Sequence, residues 1–244
     1  MAILYQTTNF IWDCPDDQVA QISGNIEWAY AWMEDCYNWL VSCFGFDYTV
    51  FRNGKHPIPT HVYVGTPGYV EGLGMTSEGE LWFGQNPWND NLVVRLVMAH
   101  ELANLFTGEG VTGCWPTSWW ADTRSPFPAM VAIQILISSG YPTSGLEPVG
   151  DNLYDMFKYL YQTYGCQMFR NAFQYMRQEG IDLCTISEPE KSRLVRDYLS
   201  RGAGVDLTPV YRQYGLIPGP SAAAGILGLG SLGVLAYVYA TRFV

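Results

Sequence analysis

NLVVRLVMAHELANLFTGEGVTGCWPTSWWADTRSPFPAM, running from Asn91 to Met130, holds the residues on which the fold turns. Its first half carries Leu92, Val93, Leu96, Val97, Ala99, Ala103 and Phe106 around the helical wheel, which predicts a central helix enclosed on nearly every side. Three polar residues interrupt that surface: His100, Glu101 and Asn104. Burying an unpaired neutral polar group costs roughly 2–7 kcal/mol, so these side chains need partners among themselves or a bound metal. His100 and Asn104 stand four apart and so share a face, with Glu101 beside them. This is the arrangement of a helix-borne zinc site with one ligand changed.

Around this stretch, 244 residues of which 48% are hydrophobic suffice for one sizeable core and predict one main domain. Twenty-three acidic against 13 basic residues leave a net charge of -10, which opposes nucleic-acid phosphates and anionic membrane surfaces, so no nucleic-acid partner is expected. The six cysteines, Cys14, Cys36, Cys43, Cys114, Cys166 and Cys184, include no CxxC pair and give no zinc ribbon. Both disulfides and buried thiols are compatible with them.

Upstream, ILYQTTNFIW is too short and polar for a signal core and reads as a first strand. A helix is expected from Gly24 to Phe44, with Trp28, Trp32 and Trp39 as packing contacts. Strands follow at Thr60 to Gly65 and Gly79 to Gly84, and Asp90 is the expected cap of the His100 helix. Gly108 and Gly110 let that helix end. Downstream, Ser125 and Pro126 open a helix to Ser139, and helices are expected over 151–164 and 167–178 with aromatic stripes in the core. Another helix starts at Ser187, where Glu190 is placed for a capping box, and runs to Arg201.

The end of the chain has a different character. Gly215 to Thr241 contains no acidic or basic residue before Arg242, and Ala222 to Ala240 has about the 20 apolar residues that cross a bilayer. Gly225, Gly228, Gly230 and Gly233 are costly in a soluble helix and tolerated in a membrane one, so a transmembrane helix over 222–241 is expected, joined by a linker at 215–221 to a domain at 1–214. A buried terminal helix is the alternative. Ala224 and Gly228 would let two such spans pack closely, a route to self-association, and Arg242 favours a domain outside the cytoplasm.

HELAN at His100 to Asn104, PTSWWAD at Pro116 to Asp122 and DYLSRGAGVDLTPVYRQYGL at Asp197 to Leu216 together resemble the gluzincin metallopeptidases. In that family a HExxH helix is followed by a Trp-containing helix start that presents an acidic third zinc ligand, and a Gly turn with a short aromatic helix closes the domain. The resemblance covers roughly residues 60–216 and implies an α+β, zincin-like domain with a small N-terminal sheet and a mainly helical C-terminal part. It implies zinc as cofactor, with His100, Asn104 and Asp122 at the ligand positions and Glu101 as the general base that activates the attacking water. A protein or peptide is then the substrate. The second ligand position departs from the pattern, because the neutral amide oxygen of Asn104 is a weaker zinc donor than imidazole. His56 or His61 could replace it only if folding brings the first strand region close.

Two further readings stay open. Asn104 can pair with Glu101 in a metal-free cluster completed by Asp122 or Arg124, leaving a catalytically inactive zincin-fold domain used for binding or assembly at a membrane surface. Without the resemblance, the chain is a structural membrane protein.

Overall fold

The computed structural model describes residues 1–46, 55–65, 74–77, 79–109 and 126–217. The stretch expected as one strand is a hairpin. Strand β1, Ala2–Gln6, turns back through Thr7 to Asn9 into β2, Phe10–Cys14. Polar TTN supplies the turn chemistry: the Thr7 hydroxyl accepts from the Phe10 amide at 3.0 Å, and the Thr7 amide donates to the Phe10 carbonyl at 2.9 Å.

Strands β3, Ile58–Val64, β4, Gly74–Ser77, and β5, Glu80–Gln85, complete a five-stranded sheet in the order β1-β2-β3-β5-β4. Strand β4 was not expected, since its sequence, GMTS, has little apolar alternation. The central pairs β2–β3 and β3–β5 are parallel, while both edge pairs are antiparallel. Parallel neighbours need a crossover, and between β2 and β3 it holds α1, Val19–Ile22, and α2, Glu27–Phe44.

Period-two alternation buries one face of the sheet: Phe10, Trp12 and Cys14 from β2, Ile58, Thr60 and Val62 from β3, and Leu81 and Phe83 from β5. This face rests on α2, with Phe10 edge-on to Tyr37 at 5.9 Å and Trp12 to Tyr30 at 5.0 Å between ring centroids. Of the three tryptophans read as packing contacts, Trp32 is fully enclosed and Trp28 and Trp39 are half-buried.

The remainder is helical: α3, Leu92–Asn104, α4, Pro126–Ser138, α5, Asn152–Gln178, α6, Glu188–Ala203, and α7, Thr208–Gln213. The class is therefore α+β, with a small N-terminal sheet and a mainly helical C-terminal part. The nearly complete enclosure expected of the His100 helix belongs to its neighbour instead. Every residue of α4 from Pro126 to Leu136 is buried, whereas α3 leaves Leu92, Val93, Leu96 and Val97 half-exposed. Only Gln134 is polar in that part of α4, while α3 must accommodate Arg95, His100, Glu101 and Asn104.

Two capping expectations also change. Asn91, and not Asp90, caps α3, its Oδ1 accepting from the Val94 amide at 3.0 Å, because Asp90 is held by Arg95. Ser187 makes no side-chain cap bond, and Glu190 pairs with Arg193 instead of reaching back to form the box. At α5 the cap is Asp151, which the sequence reading placed inside the helix and whose Oδ1 accepts from Leu153 and Tyr154 at 2.9 and 3.0 Å. The two helices expected over 151–164 and 167–178 share α5, interrupted at Gly165, whose φ of 64° and ψ of -168° are outside the helical region.

A disulfide ties Cys43 at the end of α2 to Cys166 just past that interruption, closing a separation of 123 residues. Cys14 and Cys36 are buried thiols. The expected transmembrane helix at 222–241 lies outside the described residues, among which no helix is long and apolar enough to cross a membrane.

Candidate functional site

Helix α3 is fixed at its first turn by a cation in an aromatic box, a feature its sequence reading missed. The Arg95 guanidinium lies 5.0 Å from the ring centres of Trp28 and Trp32 and 4.8 Å from that of Tyr141, and Asp90 binds it through two contacts of 2.6 Å. Burial pulls the Arg95 pKa down, but Asp90 outweighs it, and the net shift is upward. Trp32 also donates from its indole nitrogen to the Arg95 carbonyl at 3.0 Å. These bonds join α3 to α2 and to the segment after α4, and so set the direction in which the last turns of α3 present their polar residues.

At those turns His100, Glu101 and Asn104 are each half-buried. Burial holds the His100 pKa below the ordinary histidine value despite the opposing charge of Glu101, which keeps the imidazole neutral and its lone pair available. Asn104 donates from Nδ2 to Glu101 Oε2 at 3.1 Å, which fixes the amide orientation. Its Oδ1 is then left buried without a partner among the described residues. An unmet buried acceptor costs about 1–3 kcal/mol, and a cation is one group that would meet it. Immediately beyond, the helix widens into a π turn, Leu105–Glu109, a form that recurs at functional positions.

Edge strand β4 lies directly on this helix. A Cβ added at Gly74 would come within 2.7 Å of Val97 Cγ1 and 3.0 Å of Glu101 Cγ, so the strand backbone rests on the stem of Glu101. The two sheet edges differ. Strand β1 has a register shift between Ile3 and Tyr5, the kind of bulge that blunts an edge, whereas β4 pairs with β5 in unbroken register from Gly74 to Ser77.

Of the expected site, the structure brings His100, Glu101 and Asn104 onto one helix end. Asp122, the expected third ligand, lies outside the described residues, as do Arg124, Cys114 and the tryptophans of PTSWWAD. No family profile, curated protein or solved structure matches this chain. Among the described residues no group of three or more His, Cys, Asp or Glu side chains could hold a metal ion.

Neither of the other histidines supplies a replacement ligand. His61 is held between Asp13, 2.7 Å from Nδ1, and Glu80, 3.2 Å from Nε2, while His56 Nε2 is 3.1 Å from Asn9 Oδ1. The cleft at Tyr5, Thr7 and Glu34 and the one at Phe46, Arg170 and Arg177 are not lined by His100, Glu101 or Asn104.

As a donor set, His100 and Asn104 fit a divalent cation by chemistry: a neutral imidazole and an unmet amide oxygen project from one helix face. The pair is weaker than two imidazoles. Glu101, beside them and under β4, is placed to take a proton.

Proposed function

We propose that this protein is a membrane-anchored, zincin-like metallopeptidase that hydrolyses peptide bonds of a protein or glycoprotein. The observation that carries this reading is the placement of Glu101 beneath an unblunted edge strand, between His100 and an asparagine whose Oδ1 is unmet. A substrate segment pairs with the outer edge of β4 in extended form, the main-chain bonds giving affinity without sequence demand. His100, Asn104 and Asp122 are the residues that would hold zinc, which when bound supplies Lewis acidity toward the peptide carbonyl. Glu101 accepts the proton of the attacking water and returns it to the leaving amine. The Cys43–Cys166 disulfide supports a domain in an oxidising compartment outside the cytoplasm, anchored by 222–241.

A second reading has its own support. The Asn104 amide that replaces the expected imidazole donates to the carboxylate of the base. A domain so arranged, without metal, serves binding or assembly at a membrane surface.

Calorimetric zinc titration of the native protein and of Asn104→His, with thermal unfolding alongside, separates the two. On the peptidase reading, Asn104→His gains an imidazole in place of the amide, zinc affinity rises at least tenfold, and Glu101→Gln abolishes peptide hydrolysis while leaving zinc bound. A variant that is destabilised by about 1–3 kcal/mol and still ignores zinc sinks the peptidase reading and leaves the inactive domain.

A further inference from the structure

A second site is written in the charges of the helical half. Among the described residues, every lysine and arginine stands in an ion pair with a carboxylate except Arg170, Arg177 and Arg212. In a chain of net charge -10, unpaired cations are the exception, and two of the three share a cleft of about 480 Å³ lined by Arg170, Gln174, Arg177 and Gln178 from α5 and by Phe44 and Phe46 opposite.

The cleft is built, and not merely exposed. The aliphatic stem of Arg170 crosses Gly45, where an added Cβ would come within 2.6 Å of its Cγ, and the guanidinium donates through Nη2 to the Ser42 carbonyl at the end of α2. That bond uses one of the five N–H donors of the group, and its buried Nε has no partner among the described residues. Arg177 stands over the Phe46 ring at 5.6 Å, which holds the side chain in place without neutralising it. Glu179, the acid nearest to it in sequence, is taken by Tyr198 and Arg201.

We propose that this cleft binds an extended acidic peptide segment. Arg170 and Arg177 are seven residues apart on one helix, about 10 Å along its axis. In an extended polyproline-II segment, which rises about 3.1 Å per residue with three residues per turn, carboxylates at positions i and i+3 share one face at nearly the same spacing. A single phosphate does not. Gln174 lies between the two arginines on that face and, with Gln178, offers amide donors and acceptors to the ligand main chain, while Phe44 and Phe46 form an apolar floor. The net negative charge of the protein does not forbid this, because it is screened beyond about 8–10 Å at physiological salt.

The test is fluorescence anisotropy of the full-length chain with a labelled octapeptide of Gly and Ser carrying two glutamates three residues apart. The same peptide with glutamines and inorganic phosphate as competitor complete the set. The glutamate peptide is expected to bind at least tenfold tighter than its glutamine counterpart, and Arg177→Gln, an exposed position whose loss leaves the thermal midpoint unchanged, removes that preference. Arg170→Lys, which keeps the charge and the stem but not the fork, weakens binding several-fold. Equal affinity for the two peptides, indifference to Arg177→Gln, or displacement by phosphate at concentrations equal to those of unlabelled peptide would each overturn the proposal. The preference for glutamate over glutamine is read without zinc and without hydrolysis, so failure here and failure of the peptidase reading are distinguishable.

Discussion

His61 shows how a single residue ties strands together. Its two ring nitrogens meet Asp13 of β2 and Glu80 of β5 from the strand between them, so both nitrogens donate only when the imidazole is charged. Burial alone would lower its pKa, but the hydrogen bonds and charges of Asp13 and Glu80 together outweigh that, and the net shift is upward. Lys55, bonded to Glu80, is the remaining charged group of the network, and Trp82 lies beside the ring at 5.1 Å. With the folded pKa above the unfolded value of about 6.5, the contribution to stability is complete below that pH and is lost as pH rises through the folded pKa. Denaturant unfolding at a series of pH values should show stability falling over that window. His61→Gln should remove the slope and lose about 1–3 kcal/mol at pH 6, and an unchanged slope would place the titrating group elsewhere.

Among the elements, α5 and α6 lie against each other most tightly where a glycine allows it. At Gly202 an added Cβ would come within 2.9 Å of the Ala172 amide nitrogen and closer still to the Met168 carbonyl oxygen, both main-chain atoms that cannot swing aside. Gly202→Ala should therefore destabilise the protein by about 1–3 kcal/mol, although alanine is otherwise the better helix former. The thermal midpoint measures it, and a stabilised variant would mean that the two helices separate without cost. Helix α3 depends on a different device. Arg95, fixed by Asp90 and three aromatic rings, anchors its start, so the position of Glu101 two turns later is set from outside the motif.

For the molecule as a whole, the Cys43–Cys166 bond joins the crossover helix of the sheet half to the long helix of the other half. Closing so long a loop restricts the unfolded chain, and removing such a bridge typically costs about 2–5 kcal/mol. Cys43→Ser with Cys166→Ser should show that loss in denaturant midpoint, as should reduction of the native protein. Cys14 and Cys36 give an internal control. Burial raises both thiol pKa values, so neither should react with alkylating reagents until the chain unfolds. Alkylation of Cys43 or Cys166 in unreduced, unfolded protein would contradict the bridge.

What the amino-acid order determined by itself was whatever is local or periodic. The helices from 152 to 203, their aromatic stripes, the helix opened by Pro126 and the alternation of THVYV follow from spacing, and so does the clustering of His100, Glu101 and Asn104 at one helix end. Features that depend on a distant partner were not legible. β1 and β2 read as one strand because the turn between them is polar but lacks glycine and proline, and β4 exists only because β5 offers it a register. Asp90 looked like a cap until Arg95 claimed it, and Glu190 looked like half of a capping box until Arg193 did. Arg95 itself lies in an apolar run, and nothing within that run names the rings of Trp28, Trp32 and Tyr141 that hold it. Only the tertiary structure could choose among six cysteines, lay Gly74 on Glu101 and leave Arg177 without an acid among the described residues, because each outcome is a competition between groups far apart in sequence for one partner in space.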